Sequence, residues 1–151
     1  MITVFTDGAC SNNGKPNAKA GIGIYFGKDD KRNFSNRVVG KQSNNTAELS
    51  AAIEVFAILS TEIHSNQNVL IYSDSTYTIR WSSEYGRKCS EKDHSSKHIP
   101  NVELGTTLYL LCKNHPNVTL KHIKAHTGLT DELSLGNEGA DMMANIAITS
   151  D

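Results

Sequence analysis

Residues 1–14 read Met1-Ile2-Thr3-Val4-Phe5-Thr6-Asp7-Gly8-Ala9-Cys10-Ser11-Asn12-Asn13-Gly14. Ile2, Val4 and Phe5 give an apolar, strand-like lead into Asp7, and the glycine- and asparagine-rich run behind it reads as a loop. A strand that ends on an acid delivers a carboxylate to the end of a sheet. The same device recurs at Val69-Leu70-Ile71-Tyr72, a buried-strand candidate that brings out Asp74 between Ser73 and Ser75. On neighbouring strands, Asp7 and Asp74 would lie side by side.

Working outward, two more acids flank helical stripes. Glu48 immediately precedes Leu49, Ala52, Ile53, Phe56 and Leu59, whose spacing of three and four marks one buried face, so Glu48 is expected in the first turn at the edge of that face. Asp141 flanks Ala140, Met143, Ala144 and Ala147 in the same way, near the start of a second helix. Sets of carboxylate oxygens hold hard dications such as Mg²⁺. Singly, each acid has a commoner structural role. Asp7 could open a turn, Glu48 and Asp141 could answer a helix dipole, and Asp74 could cap a helix.

The pattern predicts three strands, near 2–6, 20–26 and 33–39, then a helix over about 46–61 and a strand at 69–73. A helix from Ser75, a polar stretch over 86–98 and a helix beginning after Pro100 follow, the last with Leu104, Leu108 and Leu111 on one face and Asn114-His115-Pro116 as its stop. Val118, Leu120 and Ile123 suggest a fifth strand, and a final helix is expected over about 138–148. Three strands before the first helix imply an antiparallel meander, and the later alternation implies parallel crossovers. The expected fold class is therefore α/β, a five-stranded mixed sheet flanked by helices in one domain over 1–151.

The acids sit in the phrases TDGACSNNG, SNNTAEL, YSDSTYTI, and KAHTG followed by GNEGADMMA. Five phrases in order along nearly the whole chain resemble type 1 ribonuclease H, and AGIGIYFG looks more like the eukaryotic branch. The resemblance implies the ribonuclease H-like fold and an endonuclease that hydrolyses the RNA strand of RNA/DNA hybrids, leaving 5′-phosphate and 3′-hydroxyl ends. It places two Mg²⁺ ions, replaceable by Mn²⁺, on Asp7, Glu48, Asp74 and Asp141, with Asp7 bridging and the ions about 4 Å apart. His126, whose unperturbed pKa lies near neutrality, becomes the residue that assists proton transfer or product release.

Substrate contacts also follow from the resemblance. Cys10, Ser11, Asn12 and Asn13 lie in the first motif against the RNA strand, and Asn44 and Asn45 offer amides suited to groove edges or a ribose 2′-OH. On residues alone each Asn is more often a turn or cap residue, with Asn44 or Asn45 capping the helix of Glu48. Lys41, Ser43 and Asn101 match positions that bind a DNA-strand phosphate. Tyr77 and Tyr85, with Trp81 as a further candidate, match the aromatic side of the DNA channel. Arg87, Lys88, Lys92 and Lys97, with His94 and His98, fall in the family's basic protrusion, here shorter and poor in aromatics. Lys113, Lys121, His122 and Lys124 read as solvated faces.

Composition is compatible with this and proves none of it. The chain has 151 residues, 38% apolar and 21% charged, ordinary globular usage with enough length for one core. Its net charge of −1 argues against gripping nucleic acid by bulk charge, so local patches must serve. Cys10, Cys89 and Cys112 lack metal-type pairing and are expected as thiols. Neither a membrane span nor a signal peptide is evident, so a soluble intracellular monomer without a separate hybrid-binding domain is expected, in cytoplasm or nucleus.

Three rival readings differ in specific residues. A junction resolvase or integrase on the same fold would lack the amides beside the acids, and an inactive hybrid-binding module would not need all four acids. A domain cut from a reverse transcriptase fits less well with Met1 and the retained protrusion. One departure stands out. The stretch between His126 and Asp141, containing Leu129 to Leu135, is longer than the family's usual loop, which raises the question whether Asp131 and Glu132 disturb the ion site.

Overall fold

The computed structural model describes residues 1–91, 99–125 and 127–149. Its sheet runs β3-β2-β1-β4-β5, built from β1 (Ile2–Ser11), β2 (Lys19–Tyr25), β3 (Phe34–Arg37), β4 (Val69–Ser73) and β5 (Val118–His122). β1–β2 and β2–β3 are antiparallel, whereas β1–β4 and β4–β5 are parallel, the mixed sheet expected. The helices are α1 (Asn44–Ile58), α2 (Ser60–His64), α3 (Thr76–Trp81), α4 (Glu84–Glu91), α5 (Val102–Asn114) and α6 (Glu132–Thr149).

Register explains the placement of the first acid. β1 runs past Asp7 to Ser11 because its antiparallel pairing with β2 continues from Phe5↔Tyr25 to Ser11↔Lys19, while its parallel pairing with β4 stops at Thr6↔Ser73. Of the loop expected over 8–14, the part to Ser11 is thus strand, and only 12–14 form a turn. Asp7 and Asp74 are the first residues beyond the last β1–β4 pair.

Alternation along β1 separates two layers. Val4 faces the main core with α1 and α5, including Leu49, Val55, Ile71, Trp81 and Leu108. Phe5 faces α6, where it stacks on Tyr72 with centroids 5.2 Å apart and joins Ile123 and Ala140. Two glycines let helices reach the sheet closely. A Cβ on Gly8 would lie 2.6 Å from the Glu48 backbone nitrogen, and one on Gly23 would lie 2.0 Å from the Ala140 carbonyl oxygen. Backbone-to-backbone approach brings Glu48 from one face and Asp141 from the other to the same sheet end.

Several boundaries differ from the sequence reading. Helix 46–61 breaks at Leu59 into α1 and α2, and Ser43 caps α1 by accepting from the Thr46 N–H at 3.1 Å. Asn44 and Asn45 are therefore exposed first-turn residues rather than caps, and Glu48 lies in the second turn. The start of the polar 86–98 stretch is helical, as α4. α6 begins at Glu132, not near 138, because Asp131 accepts from the Ser134 N–H and hydroxyl. Most of the stretch from Leu129 to Leu135 thus belongs to a helix. Asp131, held below the usual carboxylate range by those bonds, and Glu132 are both exposed at its outer start.

Candidate active site

Asp7, Glu48 and Asp74 each offer one carboxylate oxygen, and these atoms all lie within 4.8 Å of one another. Asp7 and Glu48 are each only 4% exposed. The Gly8 N–H donates to Asp7 Oδ1 at 2.9 Å and also to Glu48 Oε1, so one peptide ties the strand acid to the helix acid. Asp141 completes the lining of an open cavity of about 390 Å³, shared with Asn44, Asn45, Ser75, Thr76, Tyr77 and Ala125. Asn145 Nδ2 steadies Asp141 through its carbonyl at 2.9 Å and Oδ1 at 3.3 Å.

Electrostatics make this cluster unsatisfied by itself. Burial pushes the Asp7 carboxyl far up, reinforced by Glu48, Asp74 and Asp141. Burial likewise raises Glu48, to about 7, against bonds from Asp7, the Gly8 N–H and Ser75 that favour its ionised form. Glu48 Oε2 is buried with no hydrogen-bond partner. Like charges this close hold protons or gather a cation, and an all-oxygen donor set with an orphaned buried oxygen fits Mg²⁺ or Mn²⁺. The residues present therefore suit the ions that the sequence implied.

One residue escaped the sequence reading. Asn137, 3% exposed on α6, donates from Nδ2 to Asp74 Oδ2 at 3.0 Å. Its position one helical turn before Asp141 in the GNEGAD phrase was the available signal.

Other expected contacts divide. Thr46 joins three of them: its hydroxyl lies 2.6 Å from Ser43 Oγ and donates to Asn101 Oδ1 at 2.9 Å, while Asn101 Nδ2 reaches the Tyr77 hydroxyl at 3.2 Å. Asn101 sits in the left-handed region at φ 59°, ahead of α5, which frees its side chain from capping. Lys41 is exposed nearby in sequence. Asn13 Oδ1 accepts from the Asn44 N–H at 3.0 Å, tying the β1 exit to α1, and Asn12 takes a left-handed φ of 55° in that turn. Cys10 Sγ donates to the adjacent Ser11 carbonyl at 3.6 Å, and Cys10, Cys89 and Cys112 are all thiols.

Trp81 is fully buried in the core, its ring filling the space a Gly105 Cβ would need, beneath a surface pocket it lines with Tyr77, Arg80 and Tyr85. Tyr85 stays exposed and packs edge-on against Trp81 at 4.6 Å. Arg87 is engaged by both Glu84 and Glu91, whereas Lys88 lines a surface pocket with Arg80 and Tyr85. His126 and residues 92–98, with Lys92, His94, Lys97 and His98, lie outside the described residues.

Mixed-sheet topology and a largely buried carboxylate cluster define an α/β protein with a candidate site for hard dications. The RNase H family model matches residues 1–149, and the chain belongs to the RNase H family. Relatives include Ribonuclease H of Schizosaccharomyces pombe, 37% identical over 93% of this chain and 50% of the relative. Ribonuclease H1 of Mus musculus is 32% identical over 95% of this chain and 48% of its own length. The chain thus spans about half the length of these relatives.

Solved structures agree in fold. The RNase H domain of prototype foamy virus superposes with TM-score 0.73 at 20% identity, covering 97% of this chain and 93% of that one. The foamy viral protease-reverse transcriptase solved in complex with RNA/DNA hybrid gives 0.68 at 19% identity, over 96% of this chain and 19% of that one. No helix among the described residues is long and apolar enough to cross a membrane.

Proposed function

We propose that this chain hydrolyses the RNA strand of RNA/DNA hybrids at the acid cluster, leaving 5′-phosphate and 3′-hydroxyl ends. The observation that carries this reading is the triad of buried Asp7 and Glu48 with half-buried Asp74, its Glu48 Oε2 orphaned, opening into a cavity that Asp141 and two asparagines also line. When bound, a pair of Mg²⁺ ions supplies water activation and charge neutralisation at the scissile phosphate.

The chain's own residues supply position. Asp7 and Glu48 share the Gly8 N–H, and Asn137 fixes Asp74, so three carboxylates keep their places without relying on an incoming substrate. Such preorganisation spares the reaction the cost of gathering them. Water attacks phosphorus, the bond to the 3′-oxygen breaks, and that oxygen leaves as a hydroxyl. By family resemblance His126 delivers or relays the proton.

Selectivity rests on two separated features. Asn44 and Asn45 face the cavity beside the acids, with the exposed Asn12 and Asn13 turn alongside, where amides meet a wide groove and 2′-hydroxyls. Ser43, Asn101 and Tyr77, joined through Thr46 with Lys41 close in sequence, form a polar cradle for a DNA phosphate. Tyr85, Arg80 and Lys88 continue that side. Demanding ribose at one and a DNA-like backbone at the other favours the hybrid over either homoduplex.

Matched 5′-labelled hybrid, duplex RNA and duplex DNA, incubated with Mg²⁺ or excess chelator, test the proposal. Cutting confined to the RNA of the hybrid and dependent on the dication is expected. Equal cutting of duplex DNA would contradict it, and binding of hybrid without cutting would make the chain a scaffold.

A further inference from the structure

A pair of histidines stands at the opposite end of the parallel strands from the acids. His64 closes α2 just before β4, and His115 follows α5 just before β5. β4 and β5 pair there as Val69↔Val118, whereas Asp74 follows the far pair, Ser73↔His122. Five residues of strand separate the two places, about 16 Å.

The ring of His64 is oriented by the backbone. Its Nδ1 lies 2.7 Å from the Ser60 carbonyl oxygen, an acceptor only, so Nδ1 carries the proton. In the neutral ring Nε2 then keeps its lone pair, and the side chain is exposed. A histidine whose second nitrogen is held by a carbonyl is the usual arrangement of a metal-ligating imidazole. The ring of His115 lies 5.2 Å from it, centre to centre, with planes 69° apart, and Phe56 backs it at 6.1 Å. Two imidazoles bound to one tetrahedral cation through bonds of about 2.0 to 2.1 Å place their ring centres about 5 Å apart.

We propose that His64 and His115 form a two-imidazole site for a borderline transition dication such as Zn²⁺, Ni²⁺ or Cu²⁺, with water completing the coordination. Imidazole nitrogen selects these ions over Mg²⁺, so this site and the carboxylate site differ in the metal they take. A cation there joins the end of α2 to the end of α5. Both connections lead directly into the parallel strands, so the bound ion stabilises the fold from the side remote from catalysis.

Zn²⁺ titration calorimetry in excess Mg²⁺, which occupies the carboxylates, tests the site on the whole chain. One Zn²⁺-binding event should weaken by at least about tenfold in His64→Gln and equally in His115→Gln, because each change leaves a single ligand where two acted together. The rise in melting temperature with Zn²⁺ should vanish in both, with cleavage in Mg²⁺ unchanged. Unaltered Zn²⁺ affinity in either folded variant would overturn the proposal. A measurement without variants uses paramagnetic Ni²⁺, which should broaden backbone amide signals of 60–66 and 113–118 together. Broadening of only one segment, or of neither, would equally overturn it.

Discussion

Asn137 Nδ2 donates to Asp74 Oδ2 at 3.0 Å, a bond from the middle of α6 to the residue beyond β4. It fixes one carboxylate oxygen and links α6 to the strand end independently of Asp141.

Asn137→Ala should therefore raise the Mg²⁺ concentration needed for half-maximal cleavage by about tenfold or more. A hydrogen bond to a charged group is worth about 1.5 to 3 kcal/mol. Excess Mg²⁺ should recover much of the rate. A lower melting temperature with an unmoved Mg²⁺ midpoint would reduce Asn137 to a packing residue.

The pH dependence of stability carries the signature of the crowded acids. Glu48 is raised to about 7 and Asp7 is shifted in the same direction, so the folded chain holds protons that the unfolded chain releases near pH 4 to 4.5. The Glu48 contribution to stability is complete below that pH and is lost as pH rises through about 7, while that of Asp7, pushed up further, goes on falling above it. The metal-free chain should melt at progressively lower temperature across this window. Several millimolar Mg²⁺ should raise the melting temperature at pH 7.5 far more than at pH 5, and Glu48→Gln should flatten the metal-free profile. A melting temperature that climbs across the window without metal would contradict the assignment.

Gly8→Ala should destabilise the fold and displace Glu48. The added methyl would meet Ala47 and Glu48 backbone at 2.6 to 2.8 Å, so α1 must withdraw from β1. Overpacking of this kind costs about 1 to 3 kcal/mol, or about 2 to 4 °C in melting temperature per kcal/mol at this chain length. A variant with parental melting temperature and Mg²⁺ affinity would show that the close approach is dispensable.

Basic residues of α4 should divide in their salt dependence. Arg87 is already neutralised by Glu84 and Glu91, while Lys88 faces the pocket with Arg80 and Tyr85. Lys88→Ala should lower the slope of log affinity against log salt by about 0.7 to 0.9, the value of one lost phosphate contact, and Arg87→Ala should leave it nearly unchanged. Equal effects would mean that Arg87 leaves its carboxylate partners to bind DNA.

Much of this was legible because chemistry and pattern coincided. Asp7 and Asp74 were readable as strand-end acids since apolar strands preceded both, and the antiparallel-then-parallel sheet followed from element order. What failed was local hydrogen bonding that periodicity does not encode. Ser43, rather than Asn44 or Asn45, caps α1, and Asp131 starts α6 a turn and a half early. The burial of Trp81 was not readable because its partner, Gly105, lies 24 residues away and only the fold opposes them. Asn137 was hidden for the same reason, its partner Asp74 being 63 positions distant.

The account stands most directly on Asp74. Single-turnover cleavage of a hybrid across a Mg²⁺ series, in the unaltered chain and in Asp74→Asn, isolates its charge, because the amide keeps the shape and can still meet Asn137. Losing that charge should cost several kcal/mol of transition-state stabilisation, with about tenfold in rate per 1.4 kcal/mol. The account predicts a fall of at least about a thousandfold in a variant that melts normally. Cleavage by the variant within a few-fold of the parent, or undiminished parental cleavage in excess chelator, would contradict it.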